Sequence, residues 1–309
     1  MKYAIVFPGQ GSQSVDMMSD LADNFPLVRD VFSEASDVLG FDLWKLVQND
    51  QNAINQTQNT QPAMLAAGYA TYRVLKSESE IAPAFMAGHS LGEYTALVAA
   101  GTLNYSDSIK LVAKRAQLMQ SAVPEGLGAM AAILGLDDSA VVKVCSEFNG
   151  TGVVEAVNFN ATGQVVIAGD KNAVEEACED MKSAGAKRAV LLPVSVPSHC
   201  SLMIDAAEEF SSAINSLEFT KGEVSVIHNF DASIANNVDE IKAKLIAQLH
   251  KPVLWTDTVK SMHKLGVEKL IESGPGKVLT GLTRRIEKSL SANAVIDSSS
   301  VAKTLEEIK

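Results

Sequence analysis

The chain has 309 residues, 47% hydrophobic and 20% charged, with a net charge of −11. This composition excludes intrinsic disorder as the main state, and the length suits about two ordinary domains. The negative field opposes nonspecific attraction to nucleic acid or an anionic membrane, so an acidic partner requires a confined basic patch.

Residues 3–7, YAIVF, form a β-rich apolar run that ends in the turn former PGQG, which predicts a buried strand feeding a loop. The Asn- and Gln-rich residues 49–61 read as a polar surface connection that ends at Pro62 and leads into a helix through MLAAGYATYRVLK. The apolar AFMAGHS and the helix-compatible EYTALVAAG come next. After Ser106, residues Ile109, Val112, Ala113, Ala116 and Met119 recur at helical spacing.

Past the Pro124-Glu125-Gly126 breaker the order becomes β-α-β-β-α-β, running to residue 196 and including a strand through VLLPVSV. Val141, Val144, Cys145 and Phe148 mark one face of its first helix, and Ala173, Ala177, Met181 and Ala184 one face of its second. The helix SLMIDAAEEFSSAI, the strand EVSVIHNF, the helix around DEIKAKLIAQL and the strand EKLIESG then return to α/β alternation. The expected fold is α/β, with a large domain from residues 1–124 and 197–309 and an inserted small domain from residues 125–196.

Cys145, Cys178 and Cys200 are odd in number and form no C-x-x-C pair, which argues against a disulfide framework or a structural zinc site and fits a reducing cytoplasm. The apolar run before Pro8 is too short for the core of a signal peptide, and no apolar stretch reaches the ~20 residues that cross a bilayer. The expectation is a cytoplasmic protein that binds no membrane.

Gly88-His89-Ser90-Leu91-Gly92 is a G-x-S-x-G sequence between a predicted strand and a predicted helix. Glycine on both sides permits a sharp turn that lifts the Ser90 hydroxyl out of the sheet and points a helix N-terminus at developing negative charge. A serine hydroxyl is a weak nucleophile at neutral pH and needs a base. His89 adjoins the nucleophile and points elsewhere in such a turn. Of the other four histidines, His199 stands between a strand and a helix, where catalytic groups collect, and helix entry disfavours its protonation; His228, His250 and His263 stay open.

The N–H of Leu91 is the expected first oxyanion donor, with the second from the Gly-rich loop at residues 8–13. That loop has Ser14 where a dinucleotide fingerprint needs its third glycine and lacks the lysine of a phosphate loop, which discounts nucleotide binding. Gly274-Pro275-Gly276-Lys277 also lacks phosphate-loop spacing and reads as a strand-to-helix turn. Arg115 shares a stripe with Leu111 and Leu118; its guanidinium either reaches out to water or meets a substrate carboxylate in a desolvated site.

Seven motifs in order, FPGQGSQ at 7–13, GHSLGEY at 88–94, KRAQLM around Arg115, NFNATGQVVIAG at 158–169, VPSHC at 196–200, AQLHKPVLW at 247–255 and ESGPGKVLTGL at 272–282, closely resemble the bacterial malonyl-CoA:acyl carrier protein transacylase family. The resemblance covers nearly the whole chain. It implies an α/β-hydrolase-like large domain interrupted by a ferredoxin-like βαββαβ small domain, with the site between them. It further implies Ser90 as acylated nucleophile, His199 as base, Gln10 and Leu91 as oxyanion amides, and Arg115 as the holder of the malonyl carboxylate. Gln248 would orient the histidine in place of an acidic third member. Neither metal nor tightly held cofactor is implied.

The implied partners are malonyl-CoA and an acidic acyl carrier protein, with Lys187-Arg188 and Arg284-Arg285 as candidate docking residues and the chain acting as a monomer. A polyketide carrier or an acyl hydrolase are the alternatives, and Ser198, before His199, bears on whether methylmalonyl fits. His228 stands where relatives often carry a small polar residue, which implies a changed groove contact away from the catalytic positions.

Overall fold

The computed structural model describes residues 1–194 and 196–309. Its strands are β1 (Tyr3–Phe7), β2 (Phe85–Gly88), β3 (Gly128–Leu134), β4 (Val154–Ala161), β5 (Gln164–Asp170), β6 (Arg188–Leu191), β7 (Val226–Ile227), β8 (Lys269–Ser273) and β9 (Ser291–Val295). They form two sheets: β7-β2-β1-β8-β9, whose pairs are all parallel, and β4-β5-β3-β6, whose pairs are all antiparallel.

A parallel sheet must be covered on both faces, and β1 shows how alternation achieves this. Tyr3, Ile5 and Phe7 enter the larger core, with Leu65 and Leu97 of the helices Thr57–Glu78 and Gly92–Ala99. Ala4 and Val6 face the opposite core, with Trp255 and Val259 of Trp255–Lys264 and Leu279 and Leu282 of Val278–Ile286. Phe7 and Gly88 are register partners at the carboxyl ends of β1 and β2. The loops after these strands therefore leave the sheet side by side, where ligands of open α/β sheets bind.

The antiparallel sheet has the strand order of a split βαβ unit, as expected. One face packs Ile133, Val165 and Ile167 against Val141, Ala177 and Met181 of the helices Asp138–Ser146 and Lys171–Ser183. On the other, Met130, Val157, Val166 and Ala168 cluster with Cys200. β4 also touches the loop before Trp255: the Phe159 N–H donates to the Val253 carbonyl at 3.0 Å, and the Val253 N–H to the Val157 carbonyl at 2.8 Å.

Three expectations change. The polar connection is partly helical: Gln51–Ile54 is a short helix, and the long helix begins at Thr57 with Pro62 inside it. Pro62 lacks the N–H that would bond the carbonyl of Gln58, but Gln58 is exposed and water can take that acceptor. Thr60 and Gln61 are fully buried, not surface residues. EVSVIHNF shrinks to the two residues of β7, an edge strand with one neighbour. The strand through VLLPVSV stops at Leu191, before Pro193, which has no N–H for a ladder, and Ser195 lies outside the described residues. β9 and the closing helix Ser298–Ile308 had no counterpart in the sequence reading.

No described helix is long and apolar enough to cross a membrane. Cys145, Cys178 and Cys200 are all free thiols, and burial pushes Cys200 up to about 12.

Candidate active site

Ser90 stands two residues past β2 and has φ +50°, the left-handed region that costs a non-glycine residue strain. The flanking glycines permit that turn by close approach. A Cβ on Gly88 would lie 1.9 Å from the Gly92 carbonyl carbon, and one on Gly92 would lie 2.1 Å from the Phe7 carbonyl oxygen. Asn229, two residues past β7, braces the bend: its Oδ1 accepts the Ser90 N–H at 2.6 Å and its Nδ2 donates to the Gly88 carbonyl at 2.6 Å. Sequence reasoning missed Asn229, because only the pairing of β7 with β2 brings it there.

His199, 2% exposed, is the histidine that reaches the nucleophile, with Nε2 2.8 Å from Ser90 Oγ. It too has a left-handed backbone, φ +68°. Nδ1 lies 2.7 Å from the main-chain carbonyl of Gln248. A carbonyl can only accept, so Nδ1 carries the proton and Nε2 is left to accept from the serine hydroxyl. Burial first, then the charge of Arg115, holds the His199 pKa down to about 3, while the Gln248 contact opposes them. The base is neutral for these reasons.

The other histidines serve elsewhere. His89 Nε2 meets Asn160 Oδ1 of β4 at 2.7 Å, which ties the two sheets together. His263 is exposed near Ser289, and His250 is half-buried.

Arg115 is fully buried in the helix Tyr105–Ala122, between the buried Leu111 and Leu118, so it does not reach out to water. Nη1 donates to Gln61 Oε1 at 2.8 Å, and Nη2 to Gln248 Oε1 at 3.0 Å and to Ser90 Oγ at 3.4 Å. The guanidinium carbon stands 5.3 Å from the Tyr94 ring centre. These partners are neutral, and Nε has none among the described residues. Burial lowers the Arg115 pKa. A desolvated cation beside a nucleophile, with a donor to spare, suits an anionic substrate group.

Leu91 precedes the helix Gly92–Ala99, and Gln10 lies in the loop after β1; neither main-chain N–H has a partner among the described residues. Gln10 Nε2 also donates to Thr57 Oγ1 at 3.4 Å, beside a polar groove of about 390 Å³ that includes Gln56, Thr57, Pro193 and Val194. A separate, mainly apolar cavity of about 320 Å³ is lined by Leu97, Val226, Ile234, Ile241 and His228, and by none of the proposed catalytic residues.

Gln248 meets His199 and Arg115 through different groups. Its main chain, not its amide, holds His199; the amide donates from Nε2 to the Ser90 carbonyl at 3.0 Å and to Glu93 Oε2 at 2.8 Å. His228 lines the apolar cavity and not the polar groove beside Gln10. It is 1% exposed, and its Nδ1 lies 2.7 Å from Glu93 Oε1, one hydrogen bond from Gln248. Glu93 and Gln61 escaped the sequence reading, because polar residues in helical runs give no sign that they point inward.

The acyl transferase domain family matches residues 4–304. The malonyl CoA-acyl carrier protein transacylase of Escherichia coli (strain K12) is 52% identical over 306 residues, 99% of each chain. An acyl carrier protein S-malonyltransferase from Vibrio cholerae superposes with a TM-score of 0.96 at 54% identity, over 98% of this chain and all of that one. A malonyl-transacylase in complex with its type II PKS acyl-carrier protein gives a TM-score of 0.98 at 50% identity, over 99% of this chain and all of that one. With a sharply turned serine, a neutral histidine and a buried arginine held within one hydrogen-bonded cluster, this chain belongs to the acyl transferase domain family and, within it, to the malonyl CoA-acyl carrier protein transacylases.

Proposed function

We propose that this enzyme moves a malonyl group from malonyl-CoA, through an ester on Ser90, to the phosphopantetheine thiol of an acyl carrier protein. The 2.8 Å contact between Ser90 Oγ and a neutral His199 Nε2 carries the reading. His199 takes the hydroxyl proton as Oγ attacks the thioester carbonyl, and the oxyanion sits against the N–H groups of Leu91 and Gln10. Collapse expels the CoA sulfur, which leaves as a thiol with the proton from His199. The carrier thiol then gives its proton to His199 and attacks the ester carbonyl, and Ser90 regains its hydrogen. A dyad suffices because a thiolate leaves far more readily than an amine.

Arg115 selects the substrate by pairing with the free malonyl carboxylate, which disfavours the role of a general acyl hydrolase. The 125–196 segment is read as a separate small domain, with the reaction at its junction with residues 1–124 and 197–309. Its docking edge for an acidic carrier combines both basic pairs. Arg285 Nη1 donates to Gln164 Oε1, and Gln164, Leu134 and Arg188 are register partners on adjacent strands. Strand spacing thus puts Arg188 about 10 Å from Gln164. Lys187, Arg188, Arg284 and Arg285 are all exposed. The enzyme is taken to act as a monomer in the cytoplasm, where its free thiols stay reduced.

The test offers malonyl-, methylmalonyl- and acetyl-CoA to the purified enzyme, with and without a fatty acid carrier protein. One malonyl group on the Ser90 peptide and its transfer to the carrier support the reading. Rapid release of free malonate without a carrier would overturn it. Because a similar transacylase is complexed with a type II PKS carrier, the assay includes such a carrier, and transfer to it alone would place the enzyme in polyketide synthesis.

A further inference from the structure

Glu93 takes no part in the steps above, yet its carboxylate is 1% exposed and meets three groups. Oε1 lies 2.7 Å from His228 Nδ1, while Oε2 accepts from the Asn229 N–H at 3.0 Å and from Gln248 Nε2 at 2.8 Å. The two ends of the Gln248 amide are nearly equal in size, so packing alone leaves its orientation open. A carboxylate only accepts. It draws the nitrogen end toward itself and leaves the carbonyl end for Arg115 Nη2 at 3.0 Å. An inverted amide would set donor against donor at the guanidinium. The charge of Glu93 also favours the charged form of Arg115 against the burial that opposes it.

We infer that Glu93, clamped by His228 and Asn229, is a positioning residue that sets the Gln248 amide and through it Arg115, so that acyl groups bearing a carboxylate are preferred. This rests on the proposed roles of Ser90 and Arg115. It also gives a task to His228, whose ring bridges Glu93 and the apolar cavity behind β7.

The experiment is a double-mutant cycle on the full-length enzyme. It measures kcat/KM for serine acylation by malonyl-CoA and by acetyl-CoA in the wild type, Glu93→Gln, Arg115→Ala and the double variant. Glu93→Gln is near-isosteric but has one acceptor oxygen where Glu93 has two, so its amide nitrogen must face either His228 Nδ1 or the two donors at Oε2, and it removes the charge that supports Arg115. Malonyl use is expected to fall by about ten- to a hundredfold, the worth of one hydrogen bond to a charged group, while acetyl use falls far less. In the Arg115→Ala background the same change should add no further malonyl loss. Equal losses for both substrates, or a full additional loss on top of Arg115→Ala, would overturn the inference.

Where Glu93→Gln does not fold, His228→Leu, which suits the apolar cavity wall, carries the same cycle. A smaller but malonyl-selective loss is expected, and an unchanged malonyl-to-acetyl ratio overturns the inference. The wild-type and Arg115→Ala arms judge the underlying reading by themselves. If Arg115→Ala keeps malonyl preference, that reading fails; if it loses preference and Glu93→Gln does not, only the role of Glu93 fails.

Discussion

The main-chain carbonyl of Gln248 holds His199 Nδ1 at 2.7 Å, while the side chain of the same residue points the other way, to Arg115, Ser90 and Glu93. One residue thus serves the base with its backbone and the specificity arginine with its amide. In a triad the orienting partner is a carboxylate. Here it is a peptide group, which fixes the tautomer without adding negative charge beside the imidazole.

Gln248→Ala separates the two tasks. The backbone carbonyl remains, so His199 stays oriented and acetylation of Ser90 persists, while Arg115 loses one hydrogen-bond partner. Malonylation should slow by about tenfold relative to acetylation, read by the mass of the Ser90 peptide in rapid-quench samples. Collapse of both rates together would show that the side chain is needed by the base.

Arg115→Ala removes the cation outright. Loss of a charge-assisted pair of ~1.5–3 kcal/mol should lower malonyl-CoA kcat/KM by ten- to a hundredfold and raise the relative use of acetyl-CoA. A competition assay with both thioesters measures this, and unchanged selectivity would strip Arg115 of its carboxylate role.

The acid sensitivity of the fold should exceed that of the base. His199 is held down to about 3 in the folded state, against 6.5 for an unperturbed imidazole. Above pH 6.5 it is neutral in both states and gives no slope. Below that, the unfolded chain takes a proton that the folded chain refuses, so stability falls by about 1.4 kcal/mol per pH unit toward pH 3. His89, lowered mainly by burial, contributes with the same sign. Urea midpoints should drop between pH 6.5 and 4.5, while the acylation rate shows no limb near pH 6.5 from the base. A limb there that vanishes in His199→Ala would contradict the buried, neutral imidazole.

Asn229→Ala tests the brace under the nucleophile. It leaves the Ser90 N–H and the Gly88 carbonyl without their 2.6 Å partners and should cost about 1–3 kcal/mol of stability. Chemical denaturation gives the stability loss, and the acylation rate reports whether Ser90 relaxes from its φ of +50°. A stable variant with unaltered acylation would mean the turn is held by glycine packing alone.

Reversing charge at Arg284 and Arg285, or at Lys187 and Arg188, should raise KM for the carrier protein and flatten its dependence on salt, with malonyl-CoA acylation unaffected. If both double variants load the carrier normally, it docks on another surface.

The Gly88–Gly92 motif already announced a tight strand-to-helix turn, because glycine is required wherever backbones approach within 2 Å of where a Cβ would sit. The helical spacing through Arg115 and the βαββαβ order of residues 128–191 were legible for the same reason: local periodicity records which side of an element is buried. Composition and order thus determined the α/β class, the small antiparallel unit and the serine as candidate nucleophile. Which histidine meets that serine was a matter for the tertiary structure, since His199 and Ser90 lie 109 residues apart, after strands of different sheets, and stand 2.8 Å apart only once the His199 loop is anchored on the Gln248 and Leu249 carbonyls. It also decided that Arg115 faces amides rather than water, that Gln248 acts through its carbonyl, and that Glu93, His228 and Asn229 close a buried polar cluster beneath the site. Hydrogen bonds between distant segments leave no periodic trace in a chain, because their geometry exists only once the sheet has brought the loop ends together.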